Sequence, residues 1–171
     1  MSDNVNPQQD GNATSGKAGT LLAEGKTKEF LTIEIQGQMF GIPILQVQDV
    51  LGELKVTRIP LAPPQVSGSL NLRGRIVTAI DVRKCLGLPP LEEAEAATRM
   101  SVVVNYDDEL YSLIIDCVGD VLTLHNKDFE ANPATLDLIW KSVSLGVYRL
   151  DGRILVVLDV PKLLSSLQHP N

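Results

Sequence analysis

The amino-acid sequence predicts a mainly β protein made of two small barrels that pack against each other along a shared apolar seam. Short runs of alternating apolar and polar residues are separated by turn signals, which is typical of β-hairpins. The order of motifs in the first half of the chain recurs in the second half. Each half is too short to bury a core well alone, so we expect the halves to share one.

A β-hairpin is the first predicted element. The alternating run 30–35 and the apolar run 39–42 are separated by the turn signal Gln36-Gly37-Gln38. Pro43 ends this pairing because it has no N–H to donate. Over 44–51 the apolar spacing is closer to helical than to alternating, but eight residues are too few to decide between a helix and a strand.

A second pair of strands and a short helix are predicted after a proline-rich stretch. Gly68 and Gly74 bracket a short strand that ends in a tight turn, and the β-rich run 76–80 forms the next strand. The Asp81 carboxylate can cap a short helix over 82–86, which the following glycine ends.

The second half restarts the pattern after an acidic segment. Residues 91–98 are rich in Glu and Ala, which favours a solvated loop or a frayed helical turn between the halves. Two apolar runs, 102–104 and 110–115, then flank a turn at Asp107-Asp108 and predict another hairpin.

An internal repeat connects the two halves. A shift of 78 residues lays 74–87 over 152–165 with seven of fourteen positions identical, and a shift of 71 lays 47–51 over 118–122. The chain is therefore interpreted as a pseudo-duplication with two β-rich halves of similar order. Closing each half into a barrel also hides most of the strand edges.

The chain is expected to divide into a tail and one folded domain. Residues 1–28 contain few hydrophobic side chains and balanced charges, a composition typical of disorder. The domain is predicted over 29–171, with a first barrel half over about 29–90, a linker over about 91–98 and a second half over about 99–166. Exchange of strands between the halves is left open.

The composition argues against several classes of partner. The 171 residues are 44% hydrophobic and 4% aromatic and carry a formal net charge of −6. Nucleic acid is not expected as a partner, because binding it requires a basic face and, for single strands, stacking aromatics. No apolar run approaches the length of a membrane span and the N-terminus has no signal pattern, so we expect a cytoplasmic protein without direct membrane insertion.

Neither a metal centre nor catalysis is expected. Cys85 and Cys117 lack C-x-x-C spacing and stand in apolar runs, so we expect them to be buried and unreactive, and His125 and His169 are far apart in sequence. The sequence contains no nucleophile elbow, P-loop, dinucleotide-binding or zinc-protease motif. We therefore expect no enzyme activity, no metal and no cofactor.

An ordered set of short motifs runs through both halves. They are F-G-I-P-I at 40–44, V-Q-D-V at 47–50, V-T-R-I-P at 56–60, G-S-L-N-L-R-G at 68–74, I-D-V-R at 80–83, I-I-D-C-V-G-D-V-L at 114–122 and L-D-V-P-K-L-L at 158–164. In order and spacing these motifs resemble the CheW family of bacterial chemotaxis coupling proteins. The resemblance covers roughly residues 30–166, and its most specific part is N-L-R-G.

The resemblance implies two SH3-like five-stranded β-barrels and a non-enzymatic adaptor of chemotaxis signal transduction. Such an adaptor couples transmembrane chemoreceptors to the chemotaxis histidine kinase in receptor arrays at the inner membrane. One surface would hold the cytoplasmic tip of a methyl-accepting receptor, and another would hold the regulatory domain of the kinase. Two alternatives are a coupling protein of a non-flagellar chemosensory pathway and a regulatory module that binds a small ligand at the seam.

The resemblance also implies candidate residues for the receptor-binding and signalling surface. The family's receptor-facing groove includes the position matching Val47, and three further candidates align with the hairpin of the second half: Val102, Val104 and Ser112. Core packing is the alternative for each valine. Residues that bind the kinase are not assigned.

Asp49 and Arg73 are the remaining candidates and are expected to form a carboxylate–guanidinium contact that shapes this surface. Relatives usually carry glutamate at the first position, and the shorter aspartate predicts either a looser bidentate geometry or a closer approach of the backbone. The alternative for Arg73 is that it fastens the following turn by bonding carbonyls. The residues expected to build this turn structurally are Gly68, Asn71, Leu72 and Gly74.

Overall fold

The computed structural model describes residues 26–52, 55–165 and 167, so nearly all of the predicted N-terminal tail lies outside the described residues. Within these ranges the chain forms eleven β-strands, four short α-helices and two 3₁₀-helices. The strands are β1 (Thr27–Ile35), β2 (Gln38–Pro43), β3 (Val47–Leu51), β4 (Val66–Leu72), β5 (Arg75–Asp81), β6 (Met100–Tyr106), β7 (Glu109–Ile115), β8 (Cys117–His125), β9 (Phe129–Glu130), β10 (Ser144–Leu150) and β11 (Arg153–Leu158). The helices are α1 (Val82–Cys85), α2 (Glu93–Ala96), α3 (Leu138–Lys141) and α4 (Val160–Ser165), and the 3₁₀-helices are Ile44–Gln46 and Asn126–Asp128.

The strands form two sheets, which confirms the predicted mainly β fold. Sheet A has six strands in the order β8-β1-β2-β11-β10-β9, and sheet B has five in the order β3-β6-β7-β5-β4. The sixth strand of sheet A is the two-residue β9, which pairs with β10. In sheet B, an isolated bridge between Thr57 and Ser69 pairs the segment that follows β3 with β4.

The two sheets do not follow the two halves of the sequence. The β1–β2 hairpin of the first half lies in sheet A, where β1 pairs with β8 and β2 pairs in parallel with β11. The β6–β7 hairpin of the second half lies in sheet B, where β6 pairs with β3 and β7 pairs in parallel with β5. Each sheet is therefore completed by a hairpin from the other half of the chain.

The predicted hairpins are confirmed by the backbone of their turns. Positive φ angles occur at both central residues of three two-residue turns, namely Gln36-Gly37, Arg73-Gly74 and Asp107-Asp108. Two successive positive φ angles define the turn type whose twist matches that of antiparallel strands. Short polar side chains and glycine are the residues that adopt this conformation most readily.

Three other local predictions have definite outcomes. The undecided segment 44–51 is a 3₁₀-helix followed by strand β3. Asp81 caps α1 as predicted, since its side chain accepts a hydrogen bond from the backbone N–H of Lys84. Strand β1 begins at Thr27, inside the predicted tail, because its first residues pair with the end of β8.

The largest apolar cluster confirms the predicted seam, because it contains buried residues of both sheets. Phe40 and Val156 of sheet A and Ile80 and Leu113 of sheet B are all fully buried in it. Smaller clusters cover the other face of each sheet: Phe30, Tyr148, Leu155 and Val157 in sheet A, and Val77, Val103 and Leu110 in sheet B. The two sheets are therefore held together by a common core.

Gly68 and Gly146 show the internal repeat in three dimensions. Each lies at an irregularity in a strand, between Val66 and Gly68 in β4 and between Ser144 and Gly146 in β10. Their φ angles are 149° and 155°, which side chains rarely adopt. A Cβ at Gly68 would clash with the carbonyl oxygen of Thr57, and one at Gly146 would clash with the ring of Phe129.

A mostly buried ion pair connects the two sheets where the chain crosses between them. Arg83 of α1 donates from Nε and Nη2 to the two carboxylate oxygens of Asp116, at 2.8 Å each, and from Nη1 to the carbonyl of Pro89 at 2.6 Å. Asp116 lies between β7 and β8 and also accepts from the backbone N–H of Gln36, at 2.9 Å. Burial raises the pKa of the Asp116 carboxyl, but the hydrogen bonds from Arg83 and Gln36 outweigh it and hold that pKa below its ordinary value.

The cysteines differ from each other, and the expected burial is wrong for one of them. Cys85 is half-buried, and burial raises the pKa of its thiol to about 12, which disfavours the reactive thiolate. Cys117 is exposed, because it begins β8 at the edge of sheet A. Partial burial raises the pKa of the Cys117 thiol, and its hydrogen bond to a carboxylate oxygen of Glu34, at 3.4 Å from Sγ, raises it further.

Candidate functional site

An exposed ion pair joins β3 to the turn between β4 and β5. Nη2 of Arg73 lies 3.2 Å from Oδ2 of Asp49, and the Arg73 side chain is 79% exposed whereas that of Asp49 is 23% exposed. The contact lacks hydrogen-bond geometry, and the other oxygen of Asp49 accepts from the backbone N–H of Val50 at 2.9 Å. The expected carboxylate–guanidinium contact is therefore present, with the looser of the two geometries considered for aspartate.

The N-L-R-G turn holds Arg73 in position for this contact. Asn71 Oδ1 accepts a hydrogen bond of 2.9 Å from the backbone N–H of Gly74, so the turn is fastened by asparagine and not by arginine. Leu72 packs against the buried cluster on the outer face of sheet B. Gly68 admits the neighbouring segment at Thr57, which pairs with Ser69 through two backbone hydrogen bonds of 2.8 Å. The four residues expected to be structural thus build the hairpin that presents Arg73.

Val47 lies on the same strand as Asp49 and is half-buried. It pairs with Val104 of β6 and packs partly against the seam. A part of its side chain remains available at the surface, so the structure is compatible with both roles considered for it, packing and contact with a partner.

The other three candidates require a correction, because the structure buries them. Val102 and Val104 are 0% exposed and belong to the seam cluster. Ser112 is also 0% exposed, and its hydroxyl is hydrogen-bonded to that of Ser101 at 2.8 Å. Side chains without accessible surface cannot contact a docked partner, so these residues support the fold and not a surface.

Two exposed apolar side chains that the sequence analysis missed lie on the elements joined by the ion pair. Val50 follows Asp49 on β3 and is 37% exposed, and Ile76 lies on β5, three residues after Arg73, and is 76% exposed. The available signal was the alternation in β5, which places Ile76 on the face opposite to the fully buried Val77. Val47, Asp49 and Val50 lie on β3, and Arg73 and Ile76 lie at the β4–β5 turn and on β5; this group of residues is called the ion-pair surface below.

A second exposed apolar surface lies on sheet A. It is a groove of about 1150 Å³ between the start of β1, the first 3₁₀-helix and the chain around β9 and β10. Leu45, Phe129 and Leu145 line it and are 92%, 42% and 54% exposed. This cavity is called the sheet A groove below.

A smaller polar cavity of about 350 Å³ adjoins the Arg83–Asp116 pair. Its most deeply buried charged group, the guanidinium of Arg83, already donates to Asp116 and to Pro89. The cavity therefore gives little support to the alternative of a module that binds a small ligand. The described ranges contain no group of three or more His, Cys, Asp or Glu side chains arranged to hold a metal ion. None of the helices in the described part of the chain is long and apolar enough to cross a membrane.

Comparison with known proteins gives consistent similarities. Residues 29–168 match the family model of the CheW-like domain. The chain is 33% identical over 146 residues to the chemotaxis protein CheW of Klebsiella aerogenes, covering 85% of this chain and 87% of that protein. It is 30% identical to the chemotaxis protein CheW of Bacillus subtilis, covering 85% and 93% of the two chains.

A solved structure shares the fold. The scaffolding protein TtCheW from Thermoanaerobacter tengcongensis superimposes with a TM-score of 0.67 at 23% identity. The match covers 77% of this chain and 88% of that one. The two-sheet architecture described above is therefore also found in a crystal structure.

Proposed function

The chain belongs to the CheW-like family and is a chemotaxis coupling adaptor, and we propose that it binds the cytoplasmic tip of methyl-accepting receptors and the regulatory domain of the chemotaxis histidine kinase. The family is one of non-enzymatic scaffolds, and the proposal includes no catalytic step. The adaptor would work in the cytoplasm, associated with receptor arrays at the inner membrane. The observation that carries the proposal is the exposed Arg73–Asp49 pair on the N-L-R-G turn.

The ion-pair surface suits the receptor tip. A helical hairpin presents apolar ridges with polar side chains beside them, and a complementary surface combines apolar contacts with a polar rim. Val50 and Ile76 offer apolar area, and Arg73 offers a charged group that is 79% exposed. An exposed ion pair contributes little to folding, so its guanidinium is free to contribute to binding.

The sheet A groove suits the second partner. An adaptor that holds two proteins at once needs two surfaces that do not overlap, and this groove lies on the sheet that does not carry the ion-pair surface. An apolar patch that includes an aromatic side chain is typical of the centre of a protein interface. We therefore assign the kinase regulatory domain to the sheet A groove.

The test is a titration of the purified protein with a receptor signalling tip and, separately, with a kinase regulatory domain. Wild type should bind both partners with micromolar affinity and form a ternary complex that raises kinase autophosphorylation. Arg73→Ala should weaken receptor binding by about tenfold and leave kinase binding unchanged. Arg149→Ala, which removes the exposed pair with Glu130, is the matched control. Binding of neither partner would overturn the proposal.

A further inference from the structure

The two sheets have the same strand order once the equivalent strands of the two halves are matched. Sheet B has the order β3-β6-β7-β5-β4, and sheet A has the order β8-β1-β2-β11-β10 before its short sixth strand. In each sheet the first strand pairs antiparallel with the second, and the third pairs in parallel with the fourth. The residues of the ion-pair surface on β3 and β5 therefore have counterparts on β8 and β11.

The sequence repeat identifies these counterparts. The shift of 71 residues takes the three β3 residues onto β8, and the shift of 78 residues takes Arg73 and Ile76 onto the β10–β11 turn and β11. The five counterparts, called the twin surface below, are Val118, Asp120, Val121, Asp151 and Ile154. Four of the five are the same residue type as their equivalents, and only Arg73 is replaced, by Asp151. The twin surface thus repeats the apolar residues of the ion-pair surface.

The twin surface differs from the ion-pair surface in charge. Asp120 and Asp151 give it two carboxylates and no guanidinium. Both side chains are exposed, and neither takes part in an ion pair within the part of the chain that the structure describes. The neighbouring guanidinium of Arg153 lies 3.8 Å from a carboxylate oxygen of Glu34. A partner group that accepts from Arg73 would therefore meet a carboxylate at the twin surface.

The turn that carries Asp151 is also built differently. In N-L-R-G, Asn71 accepts a hydrogen bond from the backbone N–H of the turn glycine, whereas its counterpart Arg149 forms an exposed ion pair with Glu130. Both central residues of the N-L-R-G turn have positive φ, whereas in the second turn only Gly152 does, at 74°. The motif R-L-D-G at 149–152 thus differs from N-L-R-G in its first and third residues.

We propose that Arg149 and Asp151 restrict receptor binding to one half of the adaptor, so that the twin surface does not take a receptor tip. The inference rests on the proposed binding of the tip at the ion-pair surface. A group that accepts from a guanidinium is repelled by a carboxylate, and such like-charge contacts suppress wrong partners. The adaptor therefore engages one tip, although the repeat provides two equivalent places for it.

The first experiment rebuilds N-L-R-G on sheet A with the double variant Arg149→Asn/Asp151→Arg. Calorimetric titration with a receptor signalling tip should give one tip per adaptor for wild type and two for the double variant. When the double variant is combined with Arg73→Ala, affinity should return to within about threefold of wild type. Glu93→Arg, which replaces a carboxylate by a guanidinium on the exposed segment between the halves, is the matched control and should restore nothing.

The second experiment places the carboxylate on the ion-pair surface. Arg73→Asp should weaken receptor binding by about a hundredfold, against about tenfold for Arg73→Ala, because the carboxylate repels the group that the guanidinium attracts. The difference between these two variants should shrink at high salt, which screens exposed charges. Thermal unfolding of all variants should stay near that of wild type, because the substituted side chains are exposed.

Three outcomes would overturn the inference and leave the proposed function standing, because wild type binds a tip in each of them. One is that wild type already binds two tips, which means that the twin surface accepts a tip as it is. Another is a double variant that binds one tip and does not rescue Arg73→Ala, which means that other residues exclude the tip. The third is equal affinity of Arg73→Asp and Arg73→Ala, which means that repulsion plays no part. If wild type binds no tip, the proposed function fails at this partner and the inference fails with it.

Discussion

Gly68 and Gly146 are equivalent positions in the two sheets, 78 residues apart, and each lets a crossing segment approach the bulged strand beside it. In sheet B that segment contains Thr57, and in sheet A it contains Phe129. The equivalence has the same 78-residue spacing as the repeat of 74–87 in 152–165. The barrels thus share a closure that depends on the absence of a side chain at one position.

Substitution of either glycine by alanine should destabilise the protein. Gly68→Ala and Gly146→Ala each place a Cβ in contact with a backbone or ring atom that cannot move away easily, at a φ angle that alanine rarely adopts. We expect each to lower the free energy of unfolding by about 3 kcal/mol, measured by denaturant unfolding. Gly52→Ala is the control, because nothing lies within 4 Å of its Cβ position, and it should change stability by less than about 0.5 kcal/mol. Equal effects at all three positions would contradict this account.

Removal of the Arg73 guanidinium should leave the fold intact. Arg73→Ala breaks an exposed ion pair, so the free energy of unfolding should change by less than about 1 kcal/mol. Asn71→Ala, in contrast, removes the side chain that accepts from Gly74 and should cost about 1 kcal/mol or more. Thermal unfolding of both variants checks the difference. A larger loss for Arg73→Ala than for Asn71→Ala would show that the arginine fastens the turn.

The Arg83–Asp116 pair should make stability depend on acid pH. The pKa of Asp116 is lowered in the folded protein, so the pair stabilises the fold fully above the ordinary aspartate pKa of about 3.9 and loses this effect as pH falls through the lower folded value. Asp116→Asn should cost about 3 kcal/mol at neutral pH, because it leaves the mostly buried Arg83 without its charge partner. The difference from wild type should shrink below about pH 4, in urea unfolding measured across pH.

Glu130→Gln is the control for this prediction, because it removes one partner of the exposed pair with Arg149. Its effect should stay under about 0.5 kcal/mol at every pH. A difference between wild type and Asp116→Asn that is constant with pH would show that the carboxylate charge is not what stabilises the pair.

Substitution of the buried candidates should lower the stability of the fold, whereas substitution of an exposed apolar residue should weaken receptor binding. Val104→Ala leaves a cavity in the seam and should cost about 2 kcal/mol, and Ser112→Ala leaves the buried hydroxyl of Ser101 unpaired at about 1–2 kcal/mol. Ile76→Ser changes an exposed side chain and should weaken receptor binding without lowering the unfolding midpoint. The check is to measure thermal unfolding and receptor affinity on the same samples. Weakened binding with unchanged stability in Val104→Ala would restore that valine as a contact residue.

The elements that could be predicted from the sequence are those set by nearby residues. The turn at Gln36-Gly37 and the cap at Asp81 depend on residues within one or two turns of chain, and both were predicted. The Asp49–Arg73 contact was predicted through the family resemblance, because its partners are 24 residues apart and no local pattern joins them.

The features that could not be predicted from the sequence depend on which face of each strand the folded chain covers and on contacts between distant residues. The run Val102-Val103-Val104 is fully buried on both faces, because β6 lies inside sheet B between the seam and that sheet's own cluster. A continuous apolar run is the signal for such a strand, and it argues against a binding surface there. The pairing of Arg83 with Asp116 had no signal in the sequence, since the chain must fold through both sheets before the two groups meet.

The placement of the first hairpin in sheet A has a consequence for synthesis. Phe30 pairs with Leu122, and Phe40 pairs with Val156, so the β1–β2 hairpin leaves the ribosome about 90 to 120 residues before its partners do. Neither sheet can be completed from one half of the chain, and contacts of such long sequence separation form slowly. The nascent hairpin therefore remains with its apolar face uncovered until β11 has been synthesised, and we expect this adaptor to need protection from aggregation until then.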